Sequence, residues 1–279
     1  MIWVLLILVL AFFIFLTRPP FPSVKLESIN HDPDLNDPQK WVITRWNAHM
    51  DSWGKIEGGR FQLYFKPVRL DEWGNVAITQ GNQAHCPIEN PVNLKERVII
   101  KREGNNVCFV MFRAKWHQIT FLKSEGICQI GITIYLDVGL DFCSPDVTQP
   151  HALVVDFIFS KFEDGKVISE GEYHWQTNPY ENDYHSAFIV GSMPNREVVY
   201  SFELRVDELI RKSLSHWNFD QAEIKGIHAW LDGKNIEGSC EIDYVQVMAM
   251  SPNSIWVPLQ PPSTFHYTKH KHHNKLHIG

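Results

Sequence analysis

Two aspartates lie inside otherwise apolar stretches of the sequence. Asp137 ends the run ITIYLD, and Asp156 interrupts the run VVDFIF. A carboxylate in an apolar strand costs free energy unless it is paired or lines a cleft. Retaining glycosidases use two carboxyl groups about 5 Å apart, one as nucleophile and one as acid. Asp137 and Asp156 are therefore the candidate catalytic pair, and a hydrogen bond to a neighbouring polar side chain is the structural alternative.

Two further stretches combine acids, amides and aromatic rings, which is the mixture that sugar-binding sites use. An aromatic ring covers the apolar face of a sugar, while polar groups bind its hydroxyls. The candidate ligand-binding residues of these stretches are Glu172, Tyr173, His174, Trp175, Gln176, His228, Trp230, Asp232 and Glu237. Alternation along a strand places His228 and Trp230 on the same face. The alternative is that all of them are ordinary strand residues with structural roles.

The two ends of the chain offer weaker metal-binding hypotheses. Asp32, Asp34 and Asp37 are candidate calcium ligands, because calcium takes several oxygen ligands, although no EF-hand spacing is present. Residues 259–279 form a flexible tail that ends in HYTKHKHHNKLHIG, and such histidine-rich tracts bind zinc, nickel or copper weakly. Solvated charge is the alternative for both segments. We expect no dedicated metal site and no required cofactor other than this calcium candidate.

Other kinds of chemistry lack their sequence motifs. There is no G-x-S-x-G elbow, no phosphate-binding glycine loop and no CxxC pair. The net charge is −6 and no basic stripe is present, so a nucleic-acid partner is not expected. The five cysteines are compatible with up to two disulfides outside the cytoplasm or with buried thiols.

The elements that carry these residues read as β-strands, because apolar and polar side chains alternate with a period of two. The clearest strand is 129–138, in which one face is entirely aliphatic. Further strands are predicted at 41–46, 60–66, 74–79, 95–102, 107–115, 152–162, 167–175, 184–191, 198–206, 223–231 and 240–249. One short helix is predicted at 208–215, capped by Asp207. This pattern predicts an all-β, two-sheet antiparallel sandwich over residues 39–258.

The N-terminal segment predicts attachment to a membrane. Ile2–Leu16 is an unbroken apolar run with no basic region before it and no small-residue cleavage site after it, so residues 1–17 are expected to be a transmembrane anchor or an uncleaved signal. Residues 18–38 are rich in Pro and Asp and are expected to be an extended tether. We expect a single-pass protein with its main domain outside the cytoplasm. The positive charges at Arg18 and Lys25, taken alone, favour the opposite orientation.

Three segments resemble the concanavalin A-like lectin and glucanase domains. They are DPDLNDPQKWVITRW with KIEGGRFQLYF, then YSFELRVDELIRKSL, and finally IKGIHAWLDG with GSCEIDYVQVM. The pair ITIYLDV and ALVVDFIFSKFEDG resembles adjacent strands of the family-twelve glucanases. That family carries its nucleophilic Glu where this sequence has Ala152 and Leu153, and its second catalytic Glu matches Glu237 only loosely. The resemblance implies a jelly-roll fold over about residues 32–250.

These observations support three functional hypotheses. The leading one is a membrane-anchored, extracytoplasmic, lectin-like protein that binds a polysaccharide or another glycan. The first alternative is a glycoside hydrolase or polysaccharide lyase of the concanavalin A-like fold that acts on a β-glucan-type polysaccharide. The second alternative is a non-catalytic structural or interaction protein at the cell surface.

Overall fold

The alternation of apolar and polar side chains produces two β-sheets, seen in a computed structural model. The structure describes residues 26–82, 88, 90–101, 108–137, 152–168, 171–176, 183–189, 199–205 and 221–250. Within these residues there are fifteen strands and one 3-10 turn at Pro38–Lys40. The strands belong to a six-stranded sheet, called sheet A below, and a nine-stranded sheet, called sheet B.

Sheet A contains the last long strand of the domain at its centre. Its strands are β1 (Leu26–Ser28), β3 (Trp53–Ile56), β4 (Phe61–Phe65), β7 (Cys108–Phe121), β13 (Val199–Arg205) and β15 (Ile236–Met250). The main path of the sheet runs β13-β7-β15-β4-β3, and β1 pairs with the end of β15.

Sheet B carries most of the predicted site residues. Its strands are β2 (Val42–Trp46), β5 (Trp73–Gly81), β6 (Val98–Lys101), β8 (Ile127–Asp137), β9 (Ala152–Glu163), β10 (Lys166–Val167), β11 (Gly171–Gln176), β12 (Asp183–Ile189) and β14 (Gln221–Lys234). The main path runs β11-β12-β9-β8-β14-β5-β2. Strands β8 and β14 therefore lie side by side in the middle of the sheet.

The core lies between the two sheets and is built from one face of each strand. On β8 the buried face consists of Cys128, Ile130, Ile132, Ile134 and Leu136. Aromatic rings join the layers, since Phe112 of sheet A stacks on Phe159 of sheet B with ring centroids 4.4 Å apart. Burial of these apolar side chains is the main favourable contribution to folding, at roughly 25 cal/mol per Å².

One strand departs from the predicted antiparallel arrangement. Strand β12 runs parallel to β9 and antiparallel to β11. The chain places β11 at the edge of the sheet and then returns through β12, which occupies the position between β11 and β9. Because β12 enters this position from the end at which β9 begins, it runs in the same direction as β9.

The tether predicted at residues 18–38 is wrong for its second half. Residues 26–28 form β1, and Ile29 and Leu35 are fully buried in the core. The side-chain amide of Asn30 bonds the backbone of β15, donating to Val245 O and accepting from Val247 N. These contacts attach residues 26–35 to sheet A. The sequence pattern missed them because its Pro and Asp residues are typical of a loop.

Other predictions concern parts of the chain outside the described residues. These are the anchor at 1–17, the beginning of the tether, the helix at 208–215 and the tail at 259–279. Within the described residues, no helix is long and apolar enough to cross a membrane. Among the described cysteines, Cys128 and Cys240 are both buried in the core, and Cys240 is a free thiol.

Candidate functional site

The face of sheet B that points away from sheet A, called the outer face below, carries transverse rows of neighbouring residues. The register of adjacent strands defines one row across seven strands: Tyr173, Ala187, Asp156, Thr133, His228, Thr79 and Val42. A second row, four residues further along β14, crosses five strands: Lys161, Gln129, Asp232, Asn75 and Trp46. These two rows contain most of the polar groups discussed below.

Asp156 belongs to a buried hydrogen-bonded chain on the outer face. The Thr133 hydroxyl donates to Asp156 Oδ1 at 2.6 Å, and Trp230 Nε1 donates to the same hydroxyl at 2.7 Å. All three residues are at least nine-tenths buried. The chain of bonds connects the Asp156 carboxyl group to Trp230 and fixes the plane of the Trp230 indole.

Gly131 makes room for that indole. It lies directly opposite Trp230 on β8, and a Cβ atom there would come within 3.0 Å of the indole and 2.5 Å of the carbonyl oxygen of Phe157. Trp230 also forms a small buried apolar cluster with Ala77, Ile158 and Ile189. The outer face is thus a mixture of polar and apolar side chains.

His228 lies in the row of Asp156 and is buried. Its Nδ1 is 3.4 Å from the hydroxyl oxygen of Tyr135. Burial lowers the pKa of His228 to about 4, although the negative charge of Asp156 acts in the opposite direction. The imidazole is therefore neutral at physiological pH, and it suits hydrogen bonding better than proton donation.

Asp232 is an acid of the outer face whose pKa is raised towards neutral pH. Burial raises the pKa of Asp232 to about 7. Hydrogen bonds from Gln129 and from the backbone of Gly233 oppose this rise, and the charge of Asp156 adds to it. Gln129 Nε2 donates to Asp232 Oδ2 at 2.9 Å. Within the described residues, Asp232 Oδ1 is buried and has no hydrogen-bonding partner, and the same holds for Oδ1 of the neighbouring Asn75.

Asp137 lies on the same face but belongs to a different cluster. It is directly opposite Glu223, and Lys225 Nζ lies 3.7 Å from Asp137 and 3.0 Å from Glu223. Arg97 adds two bonds to Glu223, at 3.0 and 3.1 Å, and these bonds lower the pKa of Glu223. The two acids therefore form an ion-pair cluster with two cations.

The register separates Asp137 from the other predicted catalytic acid. Asp137 is opposite Ala152, whereas Asp156 is opposite Thr133. Four residues along a strand correspond to about 13 Å. This exceeds the carboxyl spacing of about 5 Å in retaining glycosidases and of roughly 6.5–9.5 Å in inverting ones. Asp137 and Asp156 thus share a face of sheet B but lie too far apart to act on one glycosidic bond. The catalytic role of the pair stays a prediction.

The predicted ligand-binding residues fall into separate places. His228, Trp230 and Asp232 share the outer face, as alternation predicts. The stretch Glu172, Tyr173, His174, Trp175 and Gln176 forms β11, the outermost strand of sheet B. The register aligns Tyr173 with Asp156 through Ala187, so the Tyr173 position belongs to the same row.

Glu237 is not part of the outer face of sheet B. It lies on β15 in sheet A, where it accepts a hydrogen bond of 2.6 Å from the hydroxyl of Tyr64. The chain changes sheets at Asn235, a buried residue with a left-handed φ of 56°. Grouping Glu237 with His228, Trp230 and Asp232 was wrong, because sequence proximity did not reveal this change of sheet.

Two of the three calcium candidates, Asp32 and Asp37, form hydrogen bonds within their own loop. The Asp32 carboxylate accepts hydrogen bonds from the backbone amides of Asn36 and Asp37 at 2.9 and 2.8 Å. Asp37 in turn caps the 3-10 turn by accepting from Gln39 N. In the part of the chain that the structure describes, no group of three or more His, Cys, Asp or Glu is arranged to hold a metal ion.

Four residues near these acids were not identified from the sequence as site residues: Gln129, Asn75, Lys161 and Glu223. Alternation in 129–138 does place Gln129 on the polar face of its strand. Their proximity to the acids depends on which strands are neighbours and on the register between them, and neither is present in a local pattern.

Comparisons with known proteins place the fold. Neither a protein-family description nor a curated protein matches the sequence. Among solved structures, the endo-1,4-β-glucanase CelB2, a cellulase, has a TM-score of 0.51 at 10% identity, covering 82% of this chain and 97% of the other. The chain has a concanavalin A-like jelly-roll fold.

Family 12 glycoside hydrolases also match the chain at lower scores. One structure, described in a comparison of that family, has a TM-score of 0.49 at 10% identity and covers 82% of this chain and 97% of its own. A family 12 xyloglucanase from Bacillus licheniformis has a TM-score of 0.42 at 10% identity, with coverages of 81% and 99%. The match to CelB2 confirms, at the level of fold, the resemblance to glucanase domains that the sequence indicates.

Proposed function

We propose that this protein is a glycoside hydrolase that acts on a β-glucan-type polysaccharide, with the outer face of sheet B as its substrate-binding surface and Asp232 as its proton donor. The observation that carries the proposal is the Asp232 carboxyl group. It lies on a central strand of a glucanase-like fold, and its Oδ1 has no hydrogen-bonding partner within the described residues.

The chemistry of glycoside cleavage requires such a group. A general acid must be protonated at the working pH and must release its proton to the glycosidic oxygen as the bond breaks. Burial raises the pKa of Asp232 to about 7, which keeps much of the carboxyl protonated near neutral pH. Hydrolysis is therefore expected to decline as the pH rises through about 7.

The outer face also offers a surface suited to a sugar chain. Trp46 lies at the β2 end of the row that contains Asp232 and exposes 59% of its surface. An exposed indole stacks on the apolar face of a pyranose ring. Asn75 lies between these two residues in the row and supplies a buried amide oxygen for a hydroxyl hydrogen.

Polysaccharide binding without hydrolysis is the second candidate, and a specific observation favours it. The residues directly opposite Asp232 are Gln129 on β8 and Asn75 on β5. Both are amides, so neither supplies the carboxylate that a retaining mechanism places about 5 Å from the acid. A lectin-like protein needs only the aromatic and polar groups of this row.

Hydrolysis is tested with the purified full chain in mild detergent, incubated with soluble β-1,4-linked and mixed-linkage glucans. The readout is the release of reducing ends between pH 5 and 8. Asp232→Asn is expected to lower the rate at least about 100-fold, the lower end of a typical general-acid contribution. The matched control is Asp243→Asn, since Asp243 pairs with Arg113 in sheet A, away from sheet B.

The same proteins are then tested in a polysaccharide pull-down. Binding and hydrolysis by the wild type, with hydrolysis lost in Asp232→Asn, support the leading proposal. Binding without hydrolysis, weakened by Trp46→Ala, supports the lectin-like candidate instead. If the wild type neither binds nor cleaves these glucans, both proposals fail.

Membrane attachment is a separate proposal that the sequence of residues 1–17 supports. In this proposal, the apolar run Ile2–Leu16 anchors the chain in a membrane. The sandwich then lies outside the cytoplasm, where polysaccharides are accessible. Carbonate extraction of membranes and protease accessibility of intact cells test the two parts. Release of the chain by carbonate contradicts anchoring, and protection from protease contradicts the orientation.

A further inference from the structure

Asp232 and Gln129 are directly opposite each other on β14 and β8, and they share one well-defined hydrogen bond. Gln129 Nε2 is 2.9 Å from Asp232 Oδ2. The other carboxyl oxygen, Oδ1, is buried without a hydrogen-bonding partner in the part of the chain that the structure describes. The two oxygens of one carboxyl group therefore have unequal surroundings.

We propose that Gln129 is a positioning residue that confines the acidic proton of Asp232 to Oδ1 and so directs it at the ligand. This inference rests on the proposed function, because it assigns an orientation to the proton donor named there. Gln129 is not a catalytic residue in this account, since it acts through Asp232 and touches no reacting atom.

The position of the acidic proton depends on how many hydrogens each carboxyl oxygen of Asp232 must accommodate. A neutral carboxyl group has one O–H donor and otherwise only acceptor positions. The hydrogen of Gln129 Nε2 already occupies the line between Nε2 and Oδ2. A protonated Oδ2 would be a poorer acceptor for that bond than a carbonyl oxygen, so the acidic proton resides on Oδ1. Because a buried donor without a partner is unfavourable, a ligand oxygen that accepts this proton is favoured.

The neighbouring Asn75 indicates what kind of ligand fits. Its Oδ1 is a second buried acceptor without a partner within the described residues, and Asn75 is directly opposite Asp232 on β5. A ligand must therefore accept a hydrogen from Asp232 and donate one to Asn75. Sugar hydroxyl groups both donate and accept. The arrangement thus suits adjacent oxygens of a sugar residue.

The other charged groups that influence Asp232 come from β9. Lys161 lowers its pKa, and Asp156 raises it. Lys161 itself pairs with Glu163 at 2.7 Å. On β8 and β5, the strands that flank β14 at this point, the residues facing Asp232 are the uncharged Gln129 and Asn75. The backbone of Gly233 also forms a hydrogen bond that lowers the pKa of Asp232. Replacing Gln129 by another uncharged residue therefore leaves these charges in place.

The test measures the titration of Asp232 itself and needs no polysaccharide. The full chain is labelled with ¹³C at the aspartate carboxyl carbons, and the Asp232 resonance is assigned by its absence in Asp232→Asn. Gln129→Met removes the donor at similar volume. A donor to Oδ2 stabilises the ionised form most, so its loss is expected to raise the titration midpoint by about one pH unit.

The opposite sign overturns the proposal. If the Gln129 amide is reversed, so that its oxygen accepts the proton of Asp232, Gln129→Met removes a bond to the neutral form and lowers the midpoint. An unchanged midpoint also overturns it. Gln118→Met, at an exposed glutamine of sheet A, is the control and is expected to leave the titration unaltered.

A second variant keeps the test decisive if Gln129→Met does not fold. Gln129→Glu introduces a negative charge beside Asp232 and is expected to raise the midpoint further, because two adjacent carboxylates disfavour joint ionisation. No rise in this variant contradicts the proposal. Since these titrations are read without substrate, they are independent of the hydrolysis assay, and each proposal fails on its own measurement.

Discussion

The hydroxyl of Thr133 is the junction between Asp156 and the rest of sheet B. It donates to Asp156 Oδ1 at 2.6 Å and accepts from Trp230 Nε1 at 2.7 Å. The three side chains belong to β8, β9 and β14, so one hydroxyl connects three adjacent strands. The buried carboxylate and the buried indole both depend on it.

Thr133→Val is expected to destabilise the protein by about 3 kcal/mol. The substitution preserves the shape of the side chain but removes one hydrogen bond to the buried Asp156 carboxyl group and the acceptor of the buried Trp230 N–H. Urea denaturation monitored by tryptophan fluorescence measures the free energy of unfolding. Thr120→Val, at an exposed threonine of β7, is the control and is expected to change it by less than about 0.5 kcal/mol. Equal effects at the two sites would contradict the role of the junction.

Gly131→Ala is expected to cost at least about 2 kcal/mol, because the new Cβ would meet the carbonyl oxygen of Phe157 at 2.5 Å and the Trp230 indole at 3.0 Å. The displaced indole should also shift the tryptophan emission spectrum. Gly238→Ala provides the comparison, since the nearest atom to its Cβ would be 3.2 Å away. A Gly131→Ala protein as stable as Gly238→Ala would show that the sheet adjusts easily at this point.

Asp232 is expected to make the protein less stable as the pH rises from about 4 to about 7. Its pKa is raised to about 7 in the folded protein from the usual value of 3.8, so the folded state holds a proton that the unfolded state has released. The stability gained by Asp232→Asn over the wild type should therefore increase with pH over this interval and level off above it. Thermal unfolding of both proteins at pH 5 and 8 measures this.

His228 contributes a pH dependence of stability with the opposite sign. Comparing the wild type with Asp232→Asn removes this contribution. Its pKa is lowered to about 4, so its contribution to stability is lost as the pH falls from about 6.5 to 4. Because His228 is present in both the wild type and Asp232→Asn, its effect is expected to cancel in the difference. A difference that decreases as the pH rises would contradict a raised pKa at Asp232.

Asn235→Ala is expected to lower the free energy of unfolding by about 3 kcal/mol. The Asn235 side chain bonds Asp71 and the carbonyl of Glu125, and its backbone is left-handed with φ of 56°. Alanine loses both the hydrogen bonds and the tolerance of this conformation. Asn235→Gly restores only the backbone freedom and should recover about 1 kcal/mol. Chemical denaturation distinguishes the two contributions. Identical stabilities of Asn235→Ala and Asn235→Gly would exclude a contribution from the left-handed backbone.

The sequence by itself determined the kind of secondary structure and most of its positions. Alternation in 129–138, 152–162 and 223–231 predicted β8, β9 and β14, because a strand with one buried face repeats every two residues. It also placed His228 and Trp230 on one face. A short strand such as β3, with only four residues, lacked enough alternation to be recognised.

Only the tertiary structure decided which polar residues meet. Asp232 and Gln129 are 103 residues apart in the chain, and Asp156 and Thr133 are 23 apart. Their contacts depend on the order and register of β9, β8 and β14, which non-local packing sets. The same packing buries the Asp232 carboxyl and displaces its pKa, since desolvation is a property of the assembled sheet. A local pattern contains the side chains of this site but not the distances between them.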